Sequence, residues 1–306
     1  MKKGFIVLIL IALVSAGGLI LFFYYSNDSG NGNFNTNSEK MIINHNHAHL
    51  EDFTSIPSEW IIAAKANLSI VYWHTSHGSQ ITTGMSLLDA FMGDNDVYEF
   101  NNAGTGGALH YHEPSIDYSR RDLTGYTDQF DDETRTFLSS NPEYNVVIWS
   151  WCGLDKNNAS INAYLTNMNQ LESEYPNVHF VYMTAHLEGT GEDGDLHIYN
   201  QMIRRYCNKN NKTLYDFGDI ESYNPENEYF LDRDANDGCY YDSDGNGSLD
   251  ANWATEWQST HDGTHTYPNG GEWYDCSPAH SEAVNGNLKA YAAWYLFARL
   301  AGWNGT

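Results

Sequence analysis

Short apolar runs rich in β-branched and aromatic residues recur along the chain, separated by segments whose apolar positions are spaced for helices. LSIVYW (68–73), VYEF (97–100), NVVIWSW (145–151), VHFVYM (178–183) and TLYDF (213–217) have the length and make-up of buried strands. Helical spacing covers 84–92, 122–140, 157–175, 195–210 and 281–301, the last presenting Leu288, Ala292, Tyr295, Leu296 and Leu300 on one face. This alternation predicts an α/β fold: a five-stranded parallel sheet, helices on both faces, and chemistry at the carboxyl ends of the strands.

Two stretches break the pattern. Residues 219–275 are crowded with Asp, Asn, Gly and aromatics and lack a helical period, so they form an irregular insertion before the last helix. Residues 5–25 are uncharged and overwhelmingly apolar, and as a helix they reach roughly 31 Å, enough to cross a bilayer core. Lys2 and Lys3 precede that span, which places the rest of the chain outside the membrane, at the cell surface. The alternative is a cleaved signal peptide with its small-residue site at Val14-Ser15-Ala16. Asn, Ser and Gly dominate 26–40, a flexible tether, and leave 41–306 as one folded domain. No internal repeat is visible, which excludes solenoids and propellers.

A net charge of −25, from 40 acidic against 15 basic residues, excludes nucleic acid and anionic headgroups as partners and suits divalent cations. Four cysteines at 152, 207, 239 and 276 in an exported chain allow up to two disulfides among three pairings. Asp242, Asp244, Asn246, Ser248 and Asp250 place oxygen at alternate positions, with Gly245 and Gly247 between them. That is the pattern of a DxDxDG-type Ca²⁺ loop, its remaining ligand supplied by Glu256, Asp232, Asp234 or Asp237. NHNHAH sets His45, His47 and His49 on alternate positions, either for a transition metal or as a polar lead-in. Trp253, Trp257 and Trp273 are either sugar-stacking platforms or core.

The first strand of that set runs into His74-Thr75-Ser76-His77-Gly78-Ser79-Gln80, a polar turn that exposes a serine hydroxyl. The second runs into NNAGTGG, whose glycines can present N–H groups to an anion. In order and spacing these blocks resemble the SGNH, or GDSL-type, hydrolases across most of 60–301. The resemblance implies a flavodoxin-like three-layer fold and a serine esterase, a carbohydrate deacetylase above all, acting on polysaccharide or another acylated small substrate. It implies Ser76 as nucleophile with Ser79 as runner-up, Gly104 as backbone oxyanion donor, His280 as base and Asp275 orienting it. Asp262 and His265 have the family's literal Asp-x-x-His spacing but do not open the last helix. After the third strand the chain reads Ser150-Trp151-Cys152-Gly153, without the family's oxyanion asparagine, for which Asn157 or Asn158 would have to substitute. That gap leaves a catalytically silent surface module binding glycan or protein as the alternative.

Overall fold

The computed structural model describes residues 41–93, 95–114 and 122–306, together with Val14–Ser15 and Gly18–Leu19. The chain divides into two compact units, Met1–Asn35 and Thr36–Thr306. In the first, Val14–Ser15 pairs antiparallel with Gly18–Leu19. At those four residues the backbone is strand and not the spanning helix expected over 5–25; the rest of that segment and the tether over 26–40 lie outside the described residues. No described helix is long and apolar enough to cross a membrane.

Seven strands of the larger unit form one wholly parallel sheet, two more than the sequence pattern predicts. They are β1 (Met41–Ile43), β2 (Ser69–Trp73), β3 (Phe100–Asn101), β4 (Leu109–His112), β5 (Val146–Trp149), β6 (His179–Met183) and β7 (Thr213–Tyr215). Their order is β1-β7-β6-β5-β2-β4-β3. β1 is too short to show a period, and in β4 two histidines alternate with the buried Leu109 and Tyr111. The strand expected over 97–100 shrinks to Phe100–Asn101, because Asp89 accepts the N–H groups of Asp96 and Tyr98 and takes that backbone out of the ladder.

Helices cover both faces, giving three layers. On one side α4 (Phe130–Ser140), α5 (Asn158–Glu174) and α6 (Asp195–Lys209) pack in succession; on the other α1 (Leu50–Thr54), α2 (Ser58–Asn67) and α3 (Ser79–Phe91) pack on α9 (Ala283–Leu300). The helix expected over 122–140 begins only at Phe130, its first eight residues being turns. α9 is buried along almost its whole circumference, which is why its sequence is apolar beyond a single stripe. Gly84 and Gly286 make its crossing with α3 possible, since a Cβ on Gly84 would lie 2.2 Å from the Gly286 carbonyl oxygen. In the sheet, Trp73 and Trp149 are register partners whose rings stack at 4.4 Å, an interlock that keeps β2 and β5 aligned.

The insertion is more regular than its composition suggests. α7 (Phe217–Ile220) leads into it, and it holds the antiparallel pair β8 (Tyr240–Tyr241) and β9 (Ala251–Asn252) and α8 (Trp253–Gln258), which Asn252 caps by accepting the N–H groups of Ala254 and Thr255. Along the sheet, β3 and β4 lie to one side of β2 while β5, β6 and β7 lie to the other. The carboxyl end of β2 is therefore a topological switch point, the place where sheets of this kind put their chemistry.

Candidate functional site

The turn leaving β2, residues 74–78, lies at that switch point and leads into α3. Gly78 lets it lie against the strand ends, because a Cβ there would stand 2.5 Å from both His74 Cβ and Ser150 Oγ. The loop leaving β5 brings Cys152 to the same place, the loop leaving β6 brings His186, and the insertion brings Asp237.

These three side chains meet His77 of the turn. Cys152 Sγ lies 3.4 Å from His77 Nδ1, and His77 Nε2 lies 3.0 Å from Asp237 Oδ2. A thiol, an imidazole in reach of it and a carboxylate holding that imidazole are the parts of an activated nucleophile. The His77 and Asp237 side chains are only 15% and 18% exposed, so solvent screens the pair little. The hydrogen bond from His77 leads in lowering the Cys152 thiol to about 7, against burial and with help from the Thr75 and Ser76 hydroxyls. Burial alone would lower His77, but its hydrogen bonds with Asp237 and Cys152 outweigh that and push it up to about 9. Asp237 stays below the usual carboxylate range although burial opposes this, because His77 and the charges of His186 and Lys289 favour its ionised form. Both shifts favour a thiolate beside an imidazolium over a neutral pair.

Supporting contacts fix the cluster. His77 is sandwiched between two imidazoles, His186 at 3.7 Å and 5° and His280 at 4.6 Å and 20° between ring planes. The Leu187 carbonyl oxygen lies 2.9 Å from His186 Nδ1 and accepts the Asp237 N–H at 3.1 Å. The backbone N–H groups of Ser76, His77 and Gly78 meet no acceptor among the described residues. They immediately precede a helix of 13 residues, whose dipole favours negative charge there. Alongside, His74 Nε2 lies 2.5 Å from Glu113 Oε1, and Thr75 donates to Asp122.

His77, His186 and Asp237 also bring three ligand atoms within 4.8 Å of one another, as do Asp89, Asp96 and Glu99. An imidazole binds a transition metal through a lone pair in its ring plane, at about 2.0–2.1 Å for zinc. Two rings lying face to face point those lone pairs along parallel planes that do not converge, so the stack fits an acid–base cluster and not a metal centre. The Asp89 carboxylate is already occupied by backbone N–H groups.

The residues picked out from the sequence are distributed unevenly. Ser76 is in the cluster, its Oγ 3.8 Å from Cys152 Sγ, but it has no imidazole partner among the described residues. Ser79 donates to the Ser76 carbonyl at the start of α3. His280 reaches the cluster by stacking on His77, from a backbone with φ of +61°, and does not bond to Asp275. Asp275 instead accepts from the N–H and hydroxyl of Ser277. Gly104 stands at the other end of the sheet. It packs on His110, the register partner of Ser69 at the start of β2, and gives its N–H to Asn101. The error comes from the undetected β4: NNAGTGG leads into that strand from its amino end, and the loop leaving its carboxyl end begins at Glu113. Asn157 caps α5 by accepting the Ser160 N–H, and Asp262 and His265 pair with each other at 2.6 Å on the surface.

All four cysteines are free thiols, so neither of the disulfides the count allows is formed. The three NHNHAH imidazoles go to separate partners, Asp219, Asn44 and Asp52, and share no ligand position. Trp253 is core, 1% exposed and packed on Phe230, while Trp257 stacks on His261. In the acidic loop Asp242 accepts four backbone N–H groups, from Asp244, Gly245, Asn246 and Gly247. Asp244 accepts from Asn246, Asn246 from Ser248, and Asp250 from Ser243. Its donor set is all oxygen, as calcium requires, but those turns close the loop through its own N–H groups.

Cys152, His77, His186 and Asp237 are thus the residues that sequence reasoning passed over as a set. A signal existed for two of them: His77 adjoins Ser76, and Cys152 stands where the third-strand loop lacks its asparagine. No protein-family model matches the chain, and neither a curated protein nor a solved structure matches it at a significant level.

Proposed function

We propose that this protein is an acyl-transfer hydrolase that cleaves ester bonds with Cys152 as nucleophile, His77 as acid and base, and Asp237 orienting His77. The observation that carries this is the chain of contacts from thiol to imidazole to carboxylate at the sheet's switch point. The Cys152 thiolate attacks the ester carbonyl carbon and the C=O electron pair moves to oxygen, facing the N–H groups of residues 76–78. Collapse re-forms the carbonyl and breaks the bond to the alcohol, which leaves with the proton from His77. Water then gives a proton to His77 and attacks the thioester, releasing the acid and restoring the thiolate.

Core strands in the order β4-β2-β5-β6-β7, with the reactive turn after β2, are what a flavodoxin-like SGNH hydrolase would present. We carry that relationship as part of the proposal, with a thiol beside the family's serine. On the same reading the substrate is an acylated carbohydrate or another small ester outside the membrane, the apolar segment 5–25 directs the domain to the surface, and the loop 242–250 takes Ca²⁺ structurally. The serine alternative, Ser76 with His280, keeps one observation in its favour: both residues touch the cluster.

Aryl acetate hydrolysis by single variants separates the two nucleophiles. Cys152→Ala is expected to fall to the uncatalysed rate, a loss of about 10⁴-fold or more, and Ser76→Ala to stay within about ten-fold of the parent. Rate should rise with pH through about 7, as Cys152 loses its proton, and fall above about 9, as His77 loses the proton the leaving alcohol needs. Full activity in Cys152→Ala would refute the thiol assignment.

A further inference from the structure

Beneath the cluster lies an ion pair with no contact to solvent: Lys289 of α9 and Glu221 just after α7 are both 0% exposed, with Nζ 2.7 Å from Oε1. Burying two charges is costly, and an isolated pair of this kind is often no more stable than apolar residues of the same size. Its contacts lead to the site. Lys289 also donates to the side-chain oxygen of Gln80, which is fully buried in the first turn of α3. Gln80 in turn donates from Nε2 to the Ala279 carbonyl at 2.6 Å, beside His280. The second carboxylate oxygen of Glu221 accepts the Leu187 N–H at 2.8 Å, and the Leu187 carbonyl is the group that holds the Asp237 N–H and His186 Nδ1. One ammonium therefore tethers the segments that carry His77, His186, Asp237 and His280. The Phe217 ring, 4.3 Å from Nζ, and the Tyr215 hydroxyl, which donates to the Lys289 carbonyl, close the pocket around it.

We infer that Lys289 and Glu221, with Gln80, are positioning residues that hold His77 and Asp237 in register with Cys152. The inference rests on the thiol assignment. The network touches neither the reacting sulfur nor a substrate, and acts by fixing the loops from β6 and from the insertion against the first turn of α3. Displacements of about 1 Å in such a frame cost a nucleophile up to about 10²-fold.

The test uses the full chain carrying Lys289→Met with Glu221→Gln, which removes both charges, keeps the volume and leaves an oxygen for Leu187. Thermal unfolding, kcat and KM on an aryl acetate, and the pH dependence of Cys152 alkylation by iodoacetamide are read in parallel. Expected is a folded protein whose kcat falls about ten-fold or more with KM within about two-fold. Its alkylation midpoint should move from about 7 towards the free-cysteine value of about 8.5. A folded double variant with the parent kcat and alkylation profile overturns the inference and leaves the pair purely structural. If the double variant does not fold, Gln80→Met decides alone: it cuts the tether to α3 and Ala279 while leaving the ion pair, so an unchanged profile is equally fatal. A parent protein that alkylates with a midpoint near 8.5 would instead sink the thiol assignment itself, whatever Lys289 does.

Discussion

Two histidine–carboxylate pairs in this molecule differ in almost everything except their chemistry. Asp262 and His265 are three residues apart, 2.6 Å from each other, and 33% and 60% exposed. His77 and Asp237 are 160 residues apart in sequence, 3.0 Å from each other, and mostly buried. The tighter pair reaches only its own turn, the Thr264 hydroxyl included. Asp262 is held well below the usual carboxylate range by the Thr264 N–H, then by His265 and the Thr264 hydroxyl, a self-contained turn. The longer pair shares its imidazole with a thiol and brings it to the mouth of the sheet. Short range and ideal spacing mark a turn; convergence of distant loops on one buried imidazole marks a site.

Equivalent substitutions in the two pairs sharpen this contrast. His77→Gln removes the proton carrier and the partner that lowers the thiol, so hydrolysis should fall about 10³-fold or more and the alkylation midpoint of Cys152 should rise towards about 8.5. His265→Gln should leave both unchanged, and equal losses in the two variants would break the comparison. Asp237→Asn, which leaves His77 in place but without a negative partner, should cost about 10²-fold or more in turnover. Asp262→Asn should leave turnover unchanged. The smallest effect is expected from chelation. Removing Ca²⁺ from 242–250 should lower the melting temperature by a few degrees without changing kcat, whereas an unchanged transition would remove calcium from the account.

How much of this was legible in the sequence follows from the range of each interaction. The cores of β2, β5, β6 and β7 and the helix α9 are visible as apolar runs, because burial on both faces leaves a continuous hydrophobic signature. β1 and β4 are not, since three residues and a His-interrupted run carry too little period, and losing β4 displaced Gly104 to the wrong end of the sheet. Strand order alone places the turn 74–80 at the carboxyl end of β2. Cys152 reads as a disulfide partner, because an even cysteine count in an exported chain points that way, and only the fold puts it 3.4 Å from His77. Asp237 stands out in the sequence only as one of several spare oxygen ligands for the 242–250 loop, whereas its carboxylate goes to His77. It is one of many acidic residues in the insertion, and its role depends on a backbone contact with Leu187 that no local pattern encodes.

The central claim is that sulfur, and not the neighbouring serine oxygen, carries the acyl group. Acid-quenching the protein during hydrolysis of an aryl acetate and locating the acetyl group by peptide mass spectrometry tests it directly. The account predicts acetylation of Cys152 as a hydroxylamine-labile thioester, enriched at early times and lost in Cys152→Ala. Acetyl found on Ser76, and persisting in Cys152→Ala, would contradict it.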